Sequence, residues 1–248
     1  VGKPVSRRED PGLITGQDAY VADVKLPNAL HLVVARSPYA HAEIRSINAD
    51  AVRRVPGVVA VFTGADLNSQ LGTIDMIIPV AAFDEVKGEG RQVLAQGRVR
   101  HVGQPVAVVV AEDPCVAVDA LDALVIDYAP LPAVTDAEAA LLPGAPLVYE
   151  HVGTNMGIRW SRTEGDVDGA FARAVVVVEA RMTNQRLVAV ALEPRAVAAD
   201  YDVKIDQLTL WASTQAPHQL RDWVAEHLGL KADRLRVIET ACTQVPEA

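Results

Sequence analysis

The residue types able to do chemistry gather at two places in this chain. One is Ser213-Thr214-Gln215, which closes an alternating stretch, Leu208 to Ala212, and precedes a helical one. Leu208, Leu210 and Ala212 alternate with Thr209 and Trp211, predicting a strand with two faces. Pro217 favours an extended or turn conformation at Ala216. Leu220, Trp223, Val224, His227 and Leu228 then recur at helical spacing up to a stop at Gly229. Gln215 thus falls at the end of a strand just before a helix, where α/β proteins present ligand-facing side chains. Its amide donates and accepts hydrogen bonds without carrying charge. By type and spacing alone the favoured reading is a turn glutamine bonded to nearby backbone. The second place is Glu193-Pro194-Arg195, a carboxyl and a guanidinium flanking a proline in an apolar, strand-like stretch. Exposed, the two charges are a weak surface pair; buried, each needs a partner, because desolvating an unpaired charge is costly.

Other chemistries find no support in the sequence. The six histidines are scattered and form no HExxH, and neither GxSxG nor GxGxxG occurs. The two cysteines have no metal or redox spacing: Cys115 lies in an apolar helical run and reads as a buried thiol, and Cys242 lies near the end. Without a disulfide framework, a reducing compartment, the cytoplasm, is expected. A formal net charge of -9, no dense basic run and 4% aromatics argue against nucleic acid or an anionic membrane surface as partner. No apolar run reaches the roughly 20 residues of a membrane helix, and the opening residues lack a signal-peptide core. With Val at position 1, the expectation is an initiating segment that has been removed or is not included in this chain.

The elements that must position these residues follow from periodicity. The 248 residues suit two modest domains or one large one. Residues 1–20 read as a solvated extended arm, broken by Pro4, Pro11, Gly12 and Gly16. A strand follows with Leu30, Leu32 and Val34 on one face, then a second through Ala42, Ile44 and Ser46. Asp50 is placed to cap a short helix from Ala51 to Val55, and Val58 to Phe62 is a buried strand that turns away at Gly64 to Leu67. Residues 68–92 read as a surface excursion containing Ile77-Ile78-Pro79. Val106 to Val110 is a buried strand, Asp113 caps a helix opened by Pro114, and Leu124 to Tyr128 returns as a strand. A Pro- and Ala-rich linker then runs to Pro146. Beyond it lie a short helix from Gly169 to Ala174 and strands at Val175 to Met182, within Ala189 to Tyr201, and at Leu235 to Ile238.

In this order, the chain resembles the molybdenum hydroxylase family, the large subunits of xanthine dehydrogenases, aldehyde oxidases and aerobic carbon monoxide dehydrogenases. The resemblance is carried by Arg7-Arg8-Glu9-Asp10 with Leu13-Ile14-Thr15-Gly16, by LVVARSPYAHA from Leu32 to Ala42, and by PGVVAVFTGAD from Pro56 to Asp66. It continues through Val102-Gly103-Gln104-Pro105-Val106-Ala107, Asp127-Tyr128 with Leu131-Pro132, Gly165-Asp166-Val167, Leu192-Glu193-Pro194-Arg195, and Ser213-Thr214-Gln215 with Pro217-His218. The fold it implies is α+β: an aldehyde oxidase/xanthine dehydrogenase a/b hammerhead domain with an amino-terminal arm over 1–133, a linker over 134–150, and the first portion of a molybdopterin-binding α/β domain over 151–248.

The resemblance implies hydroxylation of an aldehyde, an N-heterocycle or carbon monoxide with water as oxygen source. The implied cofactor is molybdopterin carrying molybdenum, in its cytosine dinucleotide form, with FAD and 2Fe-2S centres on partner subunits. Gln215 matches the glutamine that approaches the metal's oxo ligand, which gives it a catalytic and, with Thr214, a cofactor-binding role. Glu193 and Arg195 are weaker candidates for a substrate channel, and no protein metal ligand is expected. Where the family continues into a glycine-rich GGGFG turn after the strand at Leu235 to Ile238, this chain reads Glu239-Thr240-Ala241-Cys242. The family's catalytic glutamate has no counterpart either. The expectation is therefore one part of a multi-subunit enzyme, inactive alone, whose partners are the remaining molybdopterin-binding polypeptide and the 2Fe-2S and FAD subunits. The alternatives are a non-catalytic structural or interaction module derived from that family, or a fragment of a longer enzyme.

Overall fold

The computed structural model describes residues 10–17, 19–74, 83–88, 90–185, 187–188, 190–191 and 193–240. The expectations for Arg7 to Glu9, for Ile77-Ile78-Pro79 and for Cys242 lie outside these residues. In chain order the main elements are α1 (Asp10–Thr15), β1 (His31–Arg36), β2 (Ala42–Asn48), β3 (Val58–Thr63), α2 (Gly64–Leu71), β4 (Pro105–Ala111), α3 (Pro114–Leu121), β5 (Val125–Pro130), α4 (Val167–Arg173), β6 (Val197–Asp202), β7 (Gln207–Ala212), α5 (Pro217–Leu228) and β8 (Leu235–Glu239). They form two compact units: one runs Leu30–Arg181, and the other joins the residues before Leu30 to those from Met182 on. The first unit includes residues 134–181, and the second includes the residues before Leu30.

The first unit is organised on β4. Its run PVAVVVA pairs antiparallel with β1 on one side and β3 on the other. Val106 packs into one core cluster, with Ala42, Ala95 and Val99, and Val109 into another, with Ala49, Val52, Val61 and Ala120. A strand covered on both faces reads as continuous apolar sequence rather than as alternation. Full burial of Val52, Val99, Val106 and Val109 stabilises by about 2 kcal/mol each. Around this core, β2 pairs with β5 and with Arg98–Val99. α3 starts where the Asp113 carboxylate accepts the N–H groups of Cys115 at 2.8 Å and Val116 at 3.3 Å, with Pro114 in the first turn.

Several expectations are corrected here. Residues 10–15 of the arm form a helix despite Pro11 and Gly12, because both lie in its first turn, where a missing N–H bond costs nothing. In β1 Val33 packs on the core, while Leu32 and the preceding Leu30 are exposed. Asp50 does not cap; the segment is a single 3-10 turn, Val52–Arg54. The expected turn at Gly64 is the helix α2, opened by a capping box in which the Asp66 carboxylate accepts the Thr63 backbone N–H at 2.7 Å. Cys115 is exposed, since α3 turns Ala117 and Ala120 inward and its first turn outward.

Val175 to Met182 is not a strand. Val175 is 98% exposed and Val178 83%. The β-branched run has strand propensity, but a strand needs a neighbour for its backbone groups, and no described segment pairs with it. Glu193-Pro194-Arg195 likewise precedes β6 rather than lying inside a strand.

The second unit is a three-stranded sheet in the order β6-β7-β8. β6 and β7 form an antiparallel hairpin, from Val197↔Ala212 to Asp202↔Gln207, with Asp206 at positive φ in its turn. β7 and β8 are parallel, from Leu208↔Leu235 to Ala212↔Glu239, and α5 makes the crossover. α5 covers one face: Leu210, Ala225 and Leu235 are buried there, with Leu208, Leu220, Val224 and Val237 around them. It stops at Gly229, whose left-handed φ of 64° lets the Leu230 N–H reach the Ala225 carbonyl at 2.8 Å.

Two outcomes follow from the helix caps. Asp113→Ala removes the acceptor for two first-turn N–H groups and lowers stability by about 1 kcal/mol, read as a lower urea midpoint at unchanged slope. Asp66 has its pKa held below the usual carboxylate range by hydrogen bonds from the Thr63 backbone and hydroxyl. Its contribution is therefore present above the unfolded carboxylate pKa and lost as pH falls through the lowered value. Asp66→Asn should flatten the acid limb of the stability curve below about pH 4 and leave its neutral part almost level, as measured by urea unfolding across pH.

Candidate functional site

The functional candidates of the second unit converge on one end of its sheet. Ala212 of β7 lies beside Val197 of β6 and Glu239 of β8. The residues just after β7, just after β8 and just before β6 therefore share the edge at the carboxyl ends of the parallel pair. They are Ser213 to Gln215, Thr240, and Glu193 to Ala196. This is the end of an open sheet at which α/β folds bind ligands.

Hydrogen bonds shape that edge. The Ser213 hydroxyl accepts the Ala196 N–H at 3.0 Å, and the Ser213 N–H donates to the Ala196 carbonyl at 3.3 Å, which extends the hairpin one step beyond β7. The Thr214 hydroxyl accepts the Ala216 N–H at 3.1 Å and so closes the turn that carries Gln215. Gln215 itself is exposed, while Ser213, Thr214 and Ala216 are half-buried. Its amide is presented outward on a turn fixed from both sides. α5 starts directly behind it, with Pro217 in the first turn and no side chain capping its amino terminus, so backbone N–H groups at the positive end of a helix are also directed to this edge.

Glu193 and Arg195 part company. Arg195 is exposed at the edge. Glu193 is 5% exposed, and its Oε1 accepts the Val21 N–H at 3.0 Å and the Thr240 hydroxyl at 2.9 Å. Of the charged pair read from sequence, only the arginine faces solvent. Thr240 and Val21 were not singled out by sequence. Ser213 carried a signal, being a hydroxyl at a strand end, but Val21 and Thr240 become partners of Glu193 only through the fold. A shallow cleft of about 400 Å³ lies beside α5 and the outer edge of β8, lined by His218, Arg221, Asp233, Arg236 and Glu239 among others. Gln215 is not part of its lining. Among the described residues, no three His, Cys, Asp or Glu side chains cluster as metal ligands would.

The second unit thus contains a βαβ element with neutral hydrogen-bonding groups and helix N–H groups at the carboxyl ends of its parallel strands. Residues 15–132 match the model of the aldehyde oxidase and xanthine dehydrogenase a/b hammerhead domain, and residues 148–242 match the molybdopterin cofactor-binding domain. The chain belongs to the molybdenum hydroxylase family.

The chain is 36% identical over 238 residues to the nicotine 6-hydroxylase large subunit of Paenarthrobacter nicotinovorans, covering 96% of this chain and 29% of that one. It is 35% identical over 245 residues to the carbon monoxide dehydrogenase large chain of Afipia carboxidovorans, covering 94% and 29%. Among solved structures, quinoline 2-oxidoreductase from Pseudomonas putida 86 superposes with a TM-score of 0.84 at 35% identity, covering 97% of this chain and 30% of that one. The Cu,Mo-CO dehydrogenase superposes with a TM-score of 0.79 at 36% identity, covering 96% and 31%. The chain thus spans about 30% of the length of these relatives.

Removing the two turn hydroxyls should loosen the edge without unfolding the sheet. Ser213→Ala and Thr214→Ala are each expected to speed amide exchange around Ala196 and Ala216 by roughly tenfold, while α5 keeps its protection. Hydrogen–deuterium exchange resolved by mass spectrometry reads both.

Proposed function

We propose that this chain forms part of a molybdenum-dependent hydroxylating oxidoreductase and supplies one wall of its molybdopterin site. The observation that carries the reading is the exposed Gln215 amide, on a turn braced by Ser213 and Thr214 at the carboxyl ends of β7 and β8. The donor set suits such a group. A molybdenum held by the dithiolene of a pterin brings its own sulfur ligands, so the protein has to provide hydrogen bonds rather than metal ligands. Gln215 and Thr214 are the residues that would face it, together with the uncapped amino terminus of α5.

When bound, the cofactor supplies the redox chemistry by which an electron-poor carbon of an aldehyde, an N-heterocycle or carbon monoxide is oxidised with oxygen from water. This chain's part is orientation. Gln215 offers a neutral N–H donor on a turn whose backbone is braced before substrate arrives, which limits the reorganisation needed during reaction. The exposed Arg195 lies on the same edge and adds positive charge to the approach.

The remaining walls come from the rest of the molybdopterin-binding region. The reading extends to a cytosine dinucleotide form of the cofactor, to 2Fe-2S and FAD subunits as electron partners, and to the cytoplasm as location. Its coarser part, that further subunits complete the enzyme, is supported by the relatives, which are a large subunit, a large chain and a subunit gamma of a dehydrogenase complex.

The test is metal analysis together with a Gln215 series on the native assembly. The expected result is molybdenum co-purifying with the chain. Gln215→Ala should lower kcat by about 100- to 1,000-fold, the range seen when a preorganised donor to developing charge is removed. Gln215→Glu should be no better, because it exchanges a donor for negative charge. An assembly containing this chain but no molybdenum, or full turnover in Gln215→Ala, would overturn the reading.

A further inference from the structure

We propose that Glu193 is a positioning residue: its buried carboxyl group pins the segment Glu193 to Ala196 across the carboxyl ends of β7 and β8, and through that segment holds the turn that carries Gln215. The side chain is 5% exposed, although the next two residues, Pro194 and Arg195, are exposed. One oxygen, Oε1, accepts both the Val21 N–H at 3.0 Å and the Thr240 hydroxyl at 2.9 Å. These donors lie 172 and 47 residues away in sequence. A single atom therefore joins the stretch before the first unit, the strap before β6 and the residue after β8.

The other end of the strap is tied to Ser213, immediately after β7, through Ala196. With one pin at the end of β8 and one at the end of β7, the strap is fixed across two strand ends whose spacing the parallel pairing already sets. Gln215 hangs two residues beyond the Ser213 pin.

An apolar residue of similar volume could fill the space, but it would leave the Val21 N–H and the Thr240 hydroxyl without this acceptor. A buried donor left unmet costs more than a made bond gains. The second oxygen, Oε2, is also buried, and no donor among the described residues reaches it. A carboxyl group with two donors on one oxygen and its other oxygen sealed from solvent is built to accept from protein groups, not to meet a substrate. For its consequence in catalysis, this inference rests on the proposed cofactor wall; the clamp itself is read from exchange and can stand or fall separately.

The experiment compares Glu193→Gln, Glu193→Ala and Thr240→Val in the complete assembly, by amide exchange and steady-state kinetics. Glutamine keeps an oxygen for both donors. Glu193→Ala should speed exchange at Val21 and Ala196 by about 10- to 100-fold and lower kcat with KM for the small substrate unchanged. Glu193→Gln should restore both, and Thr240→Val, which removes one of the two donors, should fall between. If Glu193→Ala does not fold, the other two variants decide, and exchange at the wild-type rate in Thr240→Val then overturns the clamp. The inference is also overturned if exchange is unchanged in Glu193→Ala, if KM rises while exchange stays unchanged, or if exchange rises while kcat holds although Gln215→Ala lowers it. Should Gln215→Ala leave turnover intact, the cofactor wall fails and the clamp is judged on exchange alone.

Discussion

The parallel pairing of β7 with β8 is the constraint on which the candidate site depends. Because the two strands run the same way through the crossover of α5, their carboxyl ends stop together, at Ala212 and Glu239. The Ser213 to Gln215 turn, Thr240 and the Glu193 to Ala196 strap all lie just past that line or just before β6 on the same side. Antiparallel pairing would put the end of one strand beside the start of the other, and Thr240 and Ser213 would sit at opposite ends of the sheet. The apolar contact of Leu210, Ala225 and Leu235 under α5 keeps the pair in register, since a one-residue slip would turn the covered faces outward.

The two units use burial differently. In the first, β4 is covered on both faces, and its valines divide between two separate clusters. In the second, the sheet has one face under α5 and an end shaped by hydrogen bonds. A site needs polar groups held still at a surface, and each satisfied bond there removes a degree of freedom from the turn that carries Gln215. The buried Glu193 belongs to this economy of acceptors, since its two donors come from backbone and side chain that no other described group satisfies in the same way.

The exposed apolar stretch from Val175 to Val178 shows the reverse situation. Its residues favour strand, yet none of the described strands runs beside it. Strand formation is a property of a pair, so propensity without a neighbour leaves the segment without regular structure.

Much of the fold was legible in the chain because local physics writes it there. The alternation from Leu208 to Ala212, the proline before α5, Gly229 after it, the Asp113 cap and the unbroken valine run of β4 each report a local requirement of backbone geometry or burial. The order and number of the matching peptides carried the family resemblance, and with it Gln215 as the residue to watch. Which face of β1 is buried, whether Val175 to Met182 pairs, and where the Glu193 carboxyl group points were decided only in three dimensions. The reason is the same in each case: burial and hydrogen-bond partnership are set by residues distant in sequence. Val21 and Thr240 meet one oxygen only after the sheet that brings them together has formed.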